Sequence, residues 1–421
     1  MILRARTVVT MDGPPIENGA VAIESGKVVD VGTFADVARG ADSNILDLGE
    51  QVLMPGLINA HCHLDYTLLR GTIPRQKSFT DWIRAINAEK AKLMADDYVR
   101  SIEQGFEEAK RFGTTSIANL TAFPELISRI TPPVRTWWFA ELIDVREPQR
   151  APEIVDKAVE GLRTVQTESG GVGLAPHALY TASADLYRRC ETVAETENLL
   201  LTTHLGESRE ESEMFRDGSG ALYDFLKEIG RDMSDCGAET AFAEFLNRIG
   251  RGGSPNRPKA IEVNRPYLPW IVTHLNDVTD ADVARLQASE KFHVMHCPRS
   301  HAFFNHSPFQ FARLLDLGFN ISLGTDSLAS NTDLSLFEEM RQFQKTEPQV
   351  SATALLSMVT VNPARALRKE TLLGRIHPGY EADLIALPIA SPRRDVFEAI
   401  VGFDHEVSFS MVGGEVIHRK R

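Results

Sequence analysis

Imidazoles and carboxylates recur along this chain at spacings that suit a metal ion and proton transfer. The stretch "GLINAHCHLDYTLLRG", residues 56–71, sets His61 and His63 one residue apart at the end of an apolar run. In a β-strand the side-chain period is two, so both rings face one way and Cys62 faces the other. Two imidazoles together at the end of a buried strand can ligate a transition metal; a pair of histidines in a surface loop is the plainer alternative. Further on, "PHALYTAS" offers His177, "TTHLGE" offers His204 and Glu207, and "VTHLND" offers His274. "HCPRSH" offers His296 and His301, and "GTDS" offers Asp326. Each follows an apolar stretch that reads as a buried strand. A lone histidine at a strand end is usually a hydrogen-bonded structural residue. Several of them with an acid, converging on one face, make a site: three neutral imidazoles and one carboxylate suit Zn²⁺ or Fe²⁺. Such an ion lowers the pKa of its water, so that hydroxide is available near neutral pH, and Asp326 can both ligate and accept a proton.

Residues so far apart in the chain converge only if the strands that carry them lie side by side. Eight buried strand candidates run through the middle: "QVLMPGLINAHCH", "TTSIANL", "VRTWWFAELI", "GVGLAPHA", "NLLLTTHLGE", "PWIVTHLND", "KFHVMHCPRS" and "NISLGTDS". Helical patterns such as "DDYVRSIEQGFEEAKRFG" and "SADLYRRCETVAETEN" separate most of them. Strands alternating with helices predict an α/β fold, a (β/α)₈ barrel, whose chemistry gathers at the C-terminal ends of its strands. A doubly wound open sheet also alternates, but no G-x-G-x-x-G follows the first strand, and its dinucleotide-binding form loses support. Both chain ends have another texture, short β-branched runs broken by Gly and Asp. The division expected is a small composite β-sandwich from residues 1–50 and 373–421, with residues 51–372 forming the barrel. Between His204 and His274 lies a segment rich in charge and Gly, including "RGGSPNRPK", which reads as an elaborated loop region over the barrel mouth.

The bulk properties narrow the partners. The chain has 421 residues, 43% hydrophobic and 24% charged, an ordinary globular balance. A formal net charge of -13 argues against nucleic acid or an anionic membrane as a general partner. Four scattered cysteines without a C-x-x-C pair fit a reducing compartment. The opening "MILRARTVVTMDG" has no apolar run after its charges, and no stretch approaches a membrane span. The expectation is a soluble cytoplasmic protein with a small-molecule substrate and room for a homodimer.

The motifs "PGLINAHCHLDYTLLRG", "PHALYTAS", "THLGES", "HCPRSH", "GTDSLASN" and "GYEADLIAL", in this order, resemble the amidohydrolase superfamily. Within it they are similar to the aminohydrolases and chlorohydrolases that act on purine, pyrimidine and triazine rings. The resemblance covers nearly the whole chain. It implies that His61, His63, His204 and Asp326 hold one divalent metal, Zn²⁺ ahead of Fe²⁺. It implies that His274 orients and deprotonates the water, that Glu207 protonates a ring nitrogen, and that His177 touches the substrate, with Ser327 beside Asp326. Relatives with two metals carry a carboxylated lysine after the fourth strand; "GLAPHALY" has none, which implies a single ion. The separate deaminase pattern H-x-E with P-C-x-x-C is absent. The substrate so implied is a 6-aminopurine nucleoside such as methylthioadenosine, S-adenosylhomocysteine or aminodeoxyfutalosine. Guanine deaminase, a triazine chlorohydrolase and a non-catalytic barrel scaffold are the alternatives. Adenosine-type deaminases of this kind place a ribose-binding Glu some way after "EWL"; here the loop reads "DWIRAINAEKAKL", with Glu89 near that position.

Other residues divide between chemistry and structure. Arg70 in "LLRG" binds substrate or pairs with a carboxylate. Trp82 in "SFTDWIRAI" closes over a flat ring or anchors an amphipathic helix. Arg146 and Arg150 either meet a carboxylate or the ribose of the substrate or form a solvated charge cluster. His296 has a structural reading at least as good as a catalytic one, His293 reads as packing, and His306, His377, His405 and His418 read as solvent-facing.

Overall fold

The computed structural model of the chain describes residues 1–39, 44–165, 170–249, 267–389 and 395–420. Eight parallel strands stand side by side in chain order: Leu57–His63, Thr114–Thr121, Arg135–Leu142, Gly171–Pro176, Leu200–Leu205, Tyr267–His274, Lys291–His296 and Asn320–Leu323. The continuation of the eighth closes the ring. After Gly324 and Thr325, the short piece Asp326–Ser327 pairs in parallel with Cys62 and His63 of the first. This is the (β/α)₈ barrel that the alternation predicts. Parallel strands are covered on both faces, and the first two bury every residue. Alternation sorts the side chains. Ile58, Ala60, Ala118, Leu120, Trp137 and Phe139 fill the interior, while Leu57, Ile117, Trp138 and Ala140 face the surrounding helices. Among those helices, Ala95–Arg111 buries Val99, Ile102 and Phe106 at helical spacing, with Asp96 and Asp97 in its first turn and Lys110 and Arg111 in its last.

Both chain ends meet in a second sheet. Its order is Glu415–Arg419, Phe409–Val412, Leu384–Leu387, Val52–Pro55, Ile2–Val8, Ile16–Glu24 and Lys27–Thr33, with Ile45–Asp47 beside Ile2–Val8. Leu3, Val21, Leu53, Leu384, Phe409 and Met411 give this sheet its own apolar cluster. Arg135, at the foot of the third barrel strand, ties the two sheets together by ion pairs to Glu381 at 2.7 Å and Asp383 at 2.6 Å.

Two local expectations need correction. The run "QVLMPGLINAHCH" is two strands, not one. Val52–Pro55 belongs to the terminal sheet, antiparallel to Leu384–Leu387, and the chain crosses into the barrel at Gly56. A Cβ at Gly56 would lie 2.1 Å from Thr115 Oγ1, so the crossing needs glycine. Both pieces are wholly apolar up to Asn59, which hides the break from any reading of periodicity. The segment after His204 carries three helices, Arg209–Asp217, Ala221–Glu228 and Ala241–Arg248, joined by turns among the described residues. The stretch "RGGSPNRPK" lies outside the described residues. No described helix is long and apolar enough to cross a membrane.

Candidate metal and catalytic site

The strand ends deliver the histidines to one place. The first strand presents His61 and His63, the fifth His204, the sixth His274, and the extension of the eighth Asp326. Donor atoms of His61, His204 and His274 lie within 4.8 Å of one another, as do those of His61, His63 and Asp326. His63 Nε2 is 3.2 Å from His204 Nε2 and 3.9 Å from Asp326 Oδ1, and His61 Nε2 is 3.9 Å from the same oxygen. The outer nitrogens are turned toward other partners. His61 Nδ1 meets Thr273 Oγ1 at 3.2 Å and His204 Nδ1 meets the His177 carbonyl at 2.8 Å, while His63 Nδ1 lies 3.7 Å from Glu141 Oε1, too far for a hydrogen bond. Such outer partners fix the tautomer that leaves Nε2 free to ligate. His61 Nε2 is buried and has no hydrogen-bond partner among the described residues. Burial holds His61 and His63 well below the usual imidazole range, with the neighbouring rings adding to the effect, so both stay neutral. An unpartnered buried nitrogen, inward Nε2 atoms and a carboxylate form a donor set that fits one divalent ion.

Gly324 makes the closure beside these ligands possible. A Cβ there would meet the His61 carbonyl oxygen at 2.7 Å, within a backbone that cannot give way. Asp326 takes φ of 58° and His274 φ of 77°, in the left-handed region that costs a non-glycine residue of order 1 kcal/mol or more. Asp326 is held there by its own contacts: Ser300 Oγ donates to Oδ2 at 2.6 Å and the Ser327 amide donates to Oδ1 at 2.8 Å.

The second chemical group lies opposite. Glu207, 6% exposed, sets Oε1 3.6 Å from His274 Nε2. Its turn is built by the next helix. Ser208 caps Arg209–Asp217, and Glu211 accepts the amides of Gly206 at 3.2 Å and Glu207 at 2.9 Å. Asn276 Nδ2 donates to the Glu207 carbonyl at 3.1 Å. Burial pushes the Glu207 carboxyl well above the usual range, and the nearby Asp326 carboxylate pushes it further.

These groups open onto a cavity of about 620 Å³. His177, Trp82 and Ser327 line it, as does Arg146. One wall is apolar and comes from two helices, with Phe79, Trp82 and Ile86 on Phe79–Lys90 and Leu222 and Leu226 on Ala221–Glu228. Glu210 holds the first of these by accepting the amides of Phe79 at 2.7 Å and Thr80 at 3.0 Å. Both readings of Trp82 meet here, since its ring lines the cavity and packs on Phe304 with centroids 4.9 Å apart.

Other expected residues lie elsewhere. Arg70 does not line the cavity; its guanidinium pairs with Glu108 and borders a separate depression with Arg75 and Arg299. Arg150 is paired with Glu147 and Glu153 at the surface. Glu89 points outward to Lys92 at 2.7 Å. His296 stacks on Phe309 with centroids 4.1 Å apart, and His301 meets Asn276 Oδ1 at 3.0 Å. His306 is half-buried against Phe304 rather than solvent-facing. Sequence reasoning missed Glu141 and Lys90, which both line the cavity. The alternation of Trp137, Phe139 and Glu141 on the third strand carries a signal for the first, a carboxylate in register with two interior aromatics. Lys90 closes a helix of mixed composition and gives no such sign.

Comparison with known proteins agrees with this architecture. The profile of the amidohydrolase family matches residues 52–417. The 5-methylthioadenosine/S-adenosylhomocysteine deaminase of Nitratidesulfovibrio vulgaris is 28% identical over 441 residues, which cover 99% of this chain and 91% of that one. The solved aminofutalosine deaminase of Helicobacter pylori, in complex with methylthio-coformycin, superposes with a TM-score of 0.84 at 20% identity over 99% of both chains. A zinc-bound adenosine deaminase of Xanthomonas campestris superposes with a TM-score of 0.76 at 22% identity over 99% of this chain and 92% of that one. At these identities the two solved structures share the fold.

Proposed function

The chain belongs to the amidohydrolase family, and from that membership we propose that it is a metal-dependent hydrolytic deaminase of a 6-aminopurine nucleoside. The observation that carries the reading is Glu207, a buried acid 3.6 Å from His274 whose carboxyl burial pushes well above the usual range, facing the same cavity as the histidine cluster. Hydrolysis of an amino-substituted aromatic ring needs a proton on a ring nitrogen as water adds to the adjacent carbon. A carboxyl raised in this way is suited to give it.

His61, His63, His204 and Asp326 would hold the ion, Zn²⁺ ahead of Fe²⁺. Bound there, the ion supplies a Lewis acid that brings the pKa of water to near neutrality. His274, neutral through burial, takes a proton from the attacking water. Glu207 gives its proton to the ring nitrogen beside the carbon under attack, so the ring's lost aromaticity is offset. The C–O bond forms, the proton on His274 leaves with the amine as ammonia when the C–N bond breaks, and the added hydroxyl returns its remaining proton to Glu207, which leaves the ring as the lactam and restores the acid. His177, whose Nδ1 is held by Thr181 Oγ1 at 2.7 Å, keeps a fixed ring edge toward the substrate. Ser327 and the apolar wall with Trp82 border the flat base. Four free cysteines support a reducing, cytoplasmic setting.

The deciding experiment is an ammonia-release assay over adenosine, methylthioadenosine, S-adenosylhomocysteine, aminodeoxyfutalosine, guanine and a chlorotriazine, with and without a chelator. Ammonia from one or more of the four nucleosides, abolished by chelation, is the expected result. Ammonia from guanine alone, or chloride from the triazine, would replace this reading.

A further inference from the structure

Glu141 is the one strand-end carboxylate in the cavity that the mechanism leaves without work. It ends the inward row of the third strand, after Trp137 and Phe139. Its side chain is 4% exposed and lines the cavity. Among the described residues it accepts no hydrogen bond; the nearest ring nitrogens are His63 Nδ1 at 3.7 Å and His177 Nε2 at 4.0 Å. Its carboxylate opens onto the cavity, where a bound molecule that carries hydroxyl or N–H donors can meet it. Lys90 borders the same cavity but makes no ion pair with it.

The position of Glu141 narrows the donor. Glu207, His274 and Asp326 follow the fifth, sixth and eighth strands and surround the carbon that loses its amine. Glu141 follows the third, next to His177 on the fourth, and so faces the part of the substrate away from the amine. On a purine nucleoside that part is the sugar, whose two adjacent hydroxyls can both donate to one carboxylate in a forked pair. The helix Phe79–Lys90 offers no rival carboxylate, since Glu89 pairs with Lys92 instead of lining the cavity.

We propose that Glu141 is the acceptor for the vicinal sugar hydroxyls, and that it selects ribonucleosides over their deoxy counterparts. This rests on the nucleoside-deaminase reading above. The test compares the metal-loaded wild-type enzyme and Glu141→Gln on adenosine, 2′-deoxyadenosine, 3′-deoxyadenosine and 2′,3′-dideoxyadenosine, with bound metal measured alongside. Wild-type enzyme should prefer adenosine. Glu141→Gln should lose about 10- to 100-fold in kcat/KM on adenosine, mostly through KM, as expected for charge-assisted hydrogen bonds. On 2′,3′-dideoxyadenosine the variant should match the wild type, which also shows that it folds. An equal loss on all four nucleosides overturns the assignment, and a fall in bound metal makes Glu141 a support for His63 instead. If the wild type releases ammonia from none of the four, nor from the larger nucleosides, the proposed function fails and this inference with it.

Discussion

Glu207 sits in its turn with its own amide and that of Gly206 bound to Glu211, so a change to its head group leaves the backbone in place. Glu207→Gln keeps the shape and removes the proton. It should retain metal and bind substrate nearly as well as wild type, while kcat falls by ~10²–10⁴-fold. Loss of metal in that variant would make Glu207 a ligand with His274 and Asp326, a grouping its distances also permit. Elemental analysis should find about one Zn²⁺ or Fe²⁺ per chain, a single four-donor site of the kind that keeps a position for water. His61→Ala should abolish both metal and turnover and still fold, because the barrel interior is filled by side chains other than the ligands. Two tightly held ions per chain, or an unfolded variant, would overturn that assignment. The convergence of His61 and His63 was legible because a strand's period of two puts both on one face. Glu141 was less so, because "AELID" reads as the ordinary polar end of an apolar strand until its inward row is traced.

At the scale of elements, the loop after the eighth strand depends on a single buried acid. Glu339 in Leu336–Thr346 accepts from Asn331 Nδ2 at 2.7 Å and from the Arg299 amide at 2.9 Å, and Asn331 Nδ2 also donates to the Thr325 carbonyl at 2.8 Å. Burial raises the Glu339 carboxyl to about 8. A carboxyl raised in the folded state contributes stability at pH below its unfolded value, and that contribution is lost as pH rises through the folded one. Tm should therefore fall as pH rises from the usual carboxylate range to about 8 and level off above it, and Glu339→Gln should flatten that fall. An unchanged profile in the variant would assign that loss to another group. The barrel strands were legible as apolar runs at regular spacing. The break at Gly56 was not, because both sides of it are apolar and only the Thr115 side chain makes the crossing specific. The three helices at 209–248 were hidden for a different reason. Each is only eight or nine residues long, too short for a helical period to stand out among Gly and Asp turns.

At the scale of the molecule, we propose that residues 1–50 and 373–421 form one composite unit. Removal of everything after Leu373 takes away Leu384–Leu387, the antiparallel partner of Val52–Pro55. It leaves an open strand edge beside the first barrel strand, and the truncated chain should be insoluble. Soluble, active protein from that truncation would refute the pairing. The same sheet also sets a timetable for synthesis. Ser408 Oγ donates to Gln51 Oε1 across 357 residues of chain. At a typical translation rate, roughly 20–70 s separate the appearance of those two residues. For that interval the nascent chain carries the Val52–Pro55 edge unmatched, directly ahead of the strand that bears His61 and His63. The N-terminal strands therefore wait for the last part of the message, and a chaperone that shields strand edges would act on this protein while it is still being made.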